Sequence, residues 1–275
     1  MRQWADGNRA RTLLVAGLAL AVLLAIALGA ALLPERGLSS NLSQRSQPPA
    51  WAHLFGTDPL GRDMLVRTVK GLAVSLQVGL LSAGFAALLA VLLGVLSALH
   101  RTLDFCVAAL IDLTLALPHL VLLILISIAA GGGTQGVIVA VVLSHWPSLA
   151  RVVRAEVRAV LVADYVAIAR KLGRTRWQVA WQHVLPQVLP QALVGLVLLF
   201  PHAILHEAGM TFLGFGLEPH LPAIGVLLAE SMRYLTAGLW WLGVLPGLCL
   251  LLMVLTFERV SSGLRLVLDP RRAQD

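Results

Sequence analysis

The chain of 275 residues is 58% hydrophobic and 13% charged, with a mean hydropathy of +0.85, which excludes an ordinary soluble domain and marks an integral membrane protein. Its net charge of +7, from 21 basic and 14 acidic residues, fits either a nucleic-acid partner or basic side chains held at one membrane face. Cys106 and Cys249 each stand alone in an apolar run, so neither a disulfide framework nor a CxxC metal site is indicated.

Taken in chain order, apolar runs long enough to cross a bilayer occur near residues 12–33, 73–99, 105–130, 136–150, 188–207 and 239–258. The first is too long for the core of a signal peptide and reads as a retained anchor. The fourth is short and blurred by His145, Trp146 and Pro147, so its helix is expected to continue out of the membrane toward Arg151 and Arg154. The expected fold is all-α with six transmembrane helices. Residues 1–34 form an N-terminal stub and first span, 35–71 an outer segment, 72–265 a five-helix core containing a loop at 151–187, and 266–275 a tail.

Six spans put both termini on one side, and the basic residues choose the side. Fifteen of the 21 basic residues fall with the termini and the 151–187 loop, and six on the opposite face. Basic residues accumulate in the cytoplasm, so termini and loop are expected there. The charge excess is then topology, which leaves no separate nucleic-acid footprint.

The stretch "DYVAIARKLGRTRWQVAWQHVLPQVLP", residues 164–190, breaks the apolar pattern. Tyr165, Ile168 and Leu172 follow helical spacing from a cap at Asp164 to a stop near Gly173. Thr175 and Gln178 have the spacing of a capping box for a second helix, whose stripe is Trp177, Trp181 and Val184 and whose expected end is Pro186. Arg170, Lys171, Arg174 and Arg176 cluster at the turn between them. Such a pair suits either docking to a protein or resting on anionic lipid.

Within that stretch, "AIARKLG" followed nine residues later by "HVLP" resembles the cytoplasmic EAA loop of permeases from binding-protein-dependent ABC importers. Ala167, Ile168 and Ala169 occupy the E-A-A positions, so the initial glutamate is missing. "GTDPLGRDMLVRTVKG" at 56–71, "EAGMTFLGFGL" at 207–217 and "GLRLVLDPR" at 263–271 are similar to the same family, in its dipeptide, oligopeptide and nickel branch. The resemblance implies a type I importer permease fold in a bacterial inner membrane. It also implies a second homologous permease, two ATP-binding subunits and an extracytoplasmic substrate-binding protein as partners. Coupling to the ATPase would fall to Ala167, Ile168, Ala169, Arg170, Lys171, Leu172, Gly173, Arg174 and Thr175. No phosphate-binding loop of the G-x-x-x-x-G-K-[ST] type occurs, so no cofactor is expected on this chain, and ATP and Mg belong to the partner ATPase. The segment around "GTDPLGRD", together with 208–238, is a candidate platform for the binding protein, or a mere cap on the bundle.

His202 and His206 are four apart on the fifth span, with Glu207 and Met210 following. Ionisable groups inside a membrane tend to face a cavity or each other, so this face is the expected translocation path, with His119, beside Pro118, and His145 as weaker candidates. Two histidines do not complete a coordination sphere, and no resident metal is assigned. Local similarity of "SHW" at 144–146 and "HAILHEAGMTFLGFGL" at 202–217 to nickel-type and metallophore-type permeases favours nickel or a metal chelate as cargo, with peptide the alternative. An ATP-independent secondary transporter is the rival from another class, although no inverted repeat is visible. A membrane enzyme is a further rival, but H-E-x-x-H is absent at His206 and Glu207.

Overall fold

A computed structural model describes residues 2–268; the end of the expected tail, 269–275, lies outside the described residues. Helix α1 (Arg2–Leu32) is followed by an irregular segment with two short 3₁₀ turns, and then by α2 (Met64–Leu96). Next come α3 (Arg101–Ala116), α4 (His119–Ala129) and α5 (Gly133–Leu161). The short helices α6 (Asp164–Lys171) and α7 (Arg176–Val179) lead through a π-helical turn at Ala180–Val184 into α8 (Leu185–Phe212). Helices α9 (Ile224–Met232) and α10 (Trp241–Leu268) are the last elements among the described residues.

Four helices are long and apolar enough to cross a bilayer, and a fifth span results if α3 and α4 count as one. These two meet at 104° across the break at Leu117 and Pro118, so the expected run 105–130 is bent. Proline disfavours helical geometry in the residue before it, and Leu117 accordingly is extended, with ψ of 146°. In α1 the stretch Gly17–Leu32 is a shorter apolar helix. Helix α5 runs through Pro147 to Leu161 and leaves the apolar zone as a helix, as the sequence suggested.

The second span begins earlier than its hydropathy indicated. Asp63 caps α2 by accepting from the amides of Leu65 (2.9 Å) and Val66 (3.1 Å), which adds a polar first turn holding Arg67 and Lys70.

In lipid, helices associate through close packing more than through hydrophobic exclusion, and α2 is built for it. Ser75, Gly79, Ala83, Ala86, Ala90 and Gly94 are buried along it, and its largest interfaces are with α5 and α8. A side chain at Gly94 would meet Val153 of α5, so only hydrogen permits the two backbones to approach as they do. The opposite face carries Leu81, Phe85, Leu88 and Leu92, all exposed, as a helix meeting acyl chains requires.

Candidate functional site

Among the described residues, polar chemistry gathers at each end of the bundle and in its middle. At the end expected to face outward, "GTDPLGRD" folds on itself. Asp58 Oδ1 accepts from the amides of Leu60 and Arg62, both at 2.9 Å. Its Oδ2 accepts from Arg62 Nε at 2.6 Å and from Arg67 Nη1 at 2.8 Å. Arg67, itself buried, reaches across with Nη2 to Glu230 of α9 at 2.8 Å. The Trp241 indole donates to the Thr57 carbonyl at 3.2 Å, so the segment is fastened to the start of α10 as well. A cavity of about 200 Å³ lies above this network, lined by Arg62, Glu230, Arg233 and Tyr234 among others. Nearby, Thr134 at the start of α5 donates its hydroxyl to Glu218 at 2.7 Å, and this bond, with the backbone bonds beside it, holds that carboxyl below its ordinary value of 4.5.

At the other end sits the 164–190 stretch. Helix α6 begins at Asp164 as expected, but the capping position is Ala163, without a side-chain bond, so Asp164 is the first helical residue. Its acidic charge there suits the helix dipole. Gly173 turns the chain with φ of 85°, a left-handed conformation that favours glycine, and nothing lies within 4 Å of where its side chain would stand. Thr175 and Gln178 form the expected capping box.

The expected stop at Pro186 is corrected. Proline falls in the first turn of α8 directly after the π turn. The wider hydrogen-bond spacing there absorbs the missing amide, so residues 176–212 form one continuous helix.

The stripes also divide differently from their spacing. Val166, Val179, Ala180 and Val184 are the residues buried against the bundle, whereas Tyr165, Ile168, Leu172, Trp177 and Trp181 are exposed. The two tryptophan rings meet edge to face at 5.6 Å. Thus Ile168, Leu172 and the tryptophans present an apolar surface flanked by Arg170, Lys171 and Arg174, for which no ion-pair partner occurs among the described residues.

The loop rests on a rigid base that sequence reasoning missed. Arg154 grips Asp104 at the start of α3 through Nε (2.9 Å) and Nη2 (2.5 Å), and Arg158 adds a bond at 3.0 Å. Arg176 donates to the Leu99 carbonyl at 3.1 Å. Beside them opens a cavity of about 540 Å³ lined by His100, Arg101, Arg158, Arg170 and Arg176. Fifty residues separate Asp104 from Arg154, and no local pattern announces their pairing.

In the middle of the bundle, His119, His145 and His206 come together. Their ring centroids are 4.6 to 5.0 Å apart. His202 lies one turn away on the exposed side of α8, with Nδ1 2.9 Å from the Leu198 carbonyl. Glu207 and Met210 depart from the expected common face. Glu207 is fully buried; its Oε1 accepts from Thr211 at 3.0 Å, and the Thr211 hydroxyl oxygen accepts from the Leu217 amide at 3.0 Å. One residue of offset is 100° of rotation, which turns Glu207 away from His206. Ser75 of α2 lies close enough to influence that carboxyl, yet it makes no well-formed hydrogen bond, and Ser75 Oγ, Ser82 Oγ and Glu207 Oε2 are buried without partners. Met210 is packed into the apolar core at 1% exposure.

A bundle of this kind with an exposed basic loop matches a known class. The family described as binding-protein-dependent transport system inner membrane component matches residues 90–274. The chain belongs to that family and is an integral inner-membrane permease of an ABC importer, a transport subunit that works with ATPase and substrate-binding partners.

Among relatives, a putative peptide transport system permease protein of Brucella suis biovar 1 (strain 1330) is 36% identical over 92% of this chain and 86% of its own length. The di/tripeptide transport system permease protein DppC of Pseudomonas aeruginosa (strain UCBPP-PA14) is 36% identical over 82% of this chain and 76% of its own. In three dimensions the chain is similar to an amino acid ABC transporter crystallised with histidines, at a TM-score of 0.54 and 19% identity over 71% of this chain and 91% of that one. It is likewise similar to the MetNI methionine ABC transporter, inward facing, at a TM-score of 0.54 and 19% identity over 73% and 97%. At those identities the likeness is one of fold.

Proposed function

We propose that the chain is one of two homologous permease subunits of an importer for di- or oligopeptides, driven by two ATP-binding subunits gripping the 164–184 stretch. The observation that carries this reading is the outward-facing apolar stripe of Ile168, Leu172, Trp177 and Trp181 on a loop otherwise anchored to the bundle. A lipid-resting pair would suit such a stripe too, but the family's ATPase partner gives it a protein to meet. The peptide cargo is supported by the names of the relatives above. They give no support to nickel or another transition metal as cargo, so the lean toward nickel drawn from "SHW" and 202–217 is withdrawn. ATP-independent transport likewise has no support. A cytoplasmic side for both termini and the loop is supported by the distribution of basic residues.

In this mechanism closure of the ATPase pair pulls on residues Ala167 to Thr175, and the helix that continues from Arg176 to Phe212 carries the displacement past the histidines. Substrate arrives at the opposite end from a binding protein seated over Asp58, Arg62 and Glu230. The test is Gly173→Val in the complex reconstituted in proteoliposomes. Membrane insertion is expected to persist, while dipeptide uptake and peptide-stimulated ATP hydrolysis fall at least tenfold. Undiminished coupling would overturn the docking role.

A further inference from the structure

Three histidines from three separate helices meet in the membrane-crossing part of the bundle: His119 at the start of α4, His145 midway along α5, and His206 on α8. Each offers one ring nitrogen, and these nitrogens all lie within 4.8 Å of one another. His145 stands twelve residues along α5, about 18 Å below its first turn, and so well inside a hydrocarbon layer about 30 Å thick.

Packing alone gives no reason for such a meeting. A core filled for stability would use aliphatic side chains there, as the neighbouring Val141, Leu149 and Ile204 do, since imidazoles in lipid need polar partners. The His145 Nδ1 lies 2.9 Å from the Val141 carbonyl and 2.9 Å from Ser144 Oγ. A carbonyl only accepts, so Nδ1 carries the proton and Nε2 the free lone pair. A backbone carbonyl behind the ring is the arrangement that fixes metal-ligating histidines.

We propose that His119, His145 and His206 bind one divalent transition-metal ion. The donor set is entirely imidazole nitrogen, because Glu207 is turned away onto Thr211. Such a set suits Zn²⁺, Co²⁺, Ni²⁺ or Cu²⁺ and not the oxygen-seeking Mg²⁺ or Ca²⁺. Three nitrogens bound tetrahedrally at about 2.0–2.1 Å from an ion stand about 3.3 Å apart, a contraction that small ring rotations supply. His119 and His206 are only partly buried, so the site can be reached, and three protein ligands leave a fourth position open. That position takes either a water on a free ion or a donor atom of a peptide that carries the ion in. In both cases the ion ties α4, α5 and α8 together, and helices that must slide past one another in transport are held.

The test uses the assembled importer without a polyhistidine tag. Zn²⁺ titrated by calorimetry is expected to bind once per permease chain, with affinity falling at least tenfold in His145→Gln and in His206→Gln, and less than threefold in His202→Gln. Co²⁺ is expected to give the intense visible absorption of a tetrahedral nitrogen site, and Zn²⁺ to slow dipeptide uptake in the wild type but not in His206→Gln. Binding of Zn²⁺ alone identifies the free ion as the source; binding only of Zn²⁺ complexed to a histidine-containing dipeptide identifies the peptide-borne ion. If His145→Gln unfolds, His119→Asn at the helix start serves in its place. Wild-type binding of neither form, or binding unchanged by these substitutions, overturns the proposal. Peptide-stimulated ATP hydrolysis without metal is read separately and tests the importer assignment by itself.

Discussion

The two ends of the bundle handle charge in opposite ways. At the Asp58 end, the centre of the network is turned inward: Asp58 is 3% exposed in its side chain and Arg67 5%, and each serves the other, while Arg62 and Glu230 close the network from its rim. In the 164–184 stretch at the Gly173 end, Arg170, Lys171, Arg174 and the large apolar residues point outward, and only small valines and an alanine are buried. The first end is therefore largely paired within the chain, whereas the second leaves Ile168, Leu172, Trp177 and Trp181 uncovered among the described residues. An internally paired motif and an exposed one call for different experiments: the first should fail in stability, the second in coupling.

The largest effect expected is at Arg67. Arg67→Ala leaves Asp58 buried with one cation fewer, and breaking a buried pair in this way costs on the order of 3–5 kcal/mol. A marked drop in thermal stability of the purified chain, with little change in the affinity of the ATPase subunits for what remains folded, is the expected pattern. Equal stability would remove the contrast between the ends.

Trp177→Ala combined with Trp181→Ala probes the other end. Both rings are half exposed, so thermal stability should move by less than about 1 kcal/mol, while binding of the ATPase subunits, followed by co-purification or surface plasmon resonance, should weaken at least tenfold. Between the ends, Gly94→Leu forces side-chain atoms into Val153 and should cost about 1–3 kcal/mol in unfolding assays, sparing neither function selectively.

The smallest effect is expected at Glu218. Its carboxyl titrates below the ordinary value of 4.5 because Thr134 donates to it, so its contribution to stability is present above that value and lost as pH falls through the lowered one. Glu218→Gln should flatten the acid side of a stability profile slightly and leave neutral pH unchanged.

Much of this was legible in the sequence because hydropathy and local chemistry decide it. The apolar runs, the capping box at Thr175 and Gln178, and the positive φ at Gly173 all follow from neighbours a few residues apart. What escaped was set by distance along the chain. Arg67 and Lys70 hid the first turn of α2 from a hydropathy scan, since their charges are met by Asp58, Glu230 and Glu35. His145 is 26 residues from His119 and 61 from His206, and only the packing of α4, α5 and α8 makes them neighbours. Glu207 was grouped with His206 by adjacency, but consecutive residues on a helix face different ways. Pro186 looked like a stop because a π turn, which makes it harmless, leaves no trace in residue type.

That wide turn at Ala180–Val184 has a mechanical consequence. From Arg176 to Phe212 the chain is a single rod of 37 residues, about 55 Å long, wound with one residue more than a regular helix would hold. Removing one residue from the turn would return it to ordinary α geometry, because about five residues of a π turn sweep nearly the same angle as about four of an α-helix, so that Ala192, Val194 and His206 would keep their faces. The surplus residue is thus taken up within the turn itself, and the two halves of the rod stay in phase despite it.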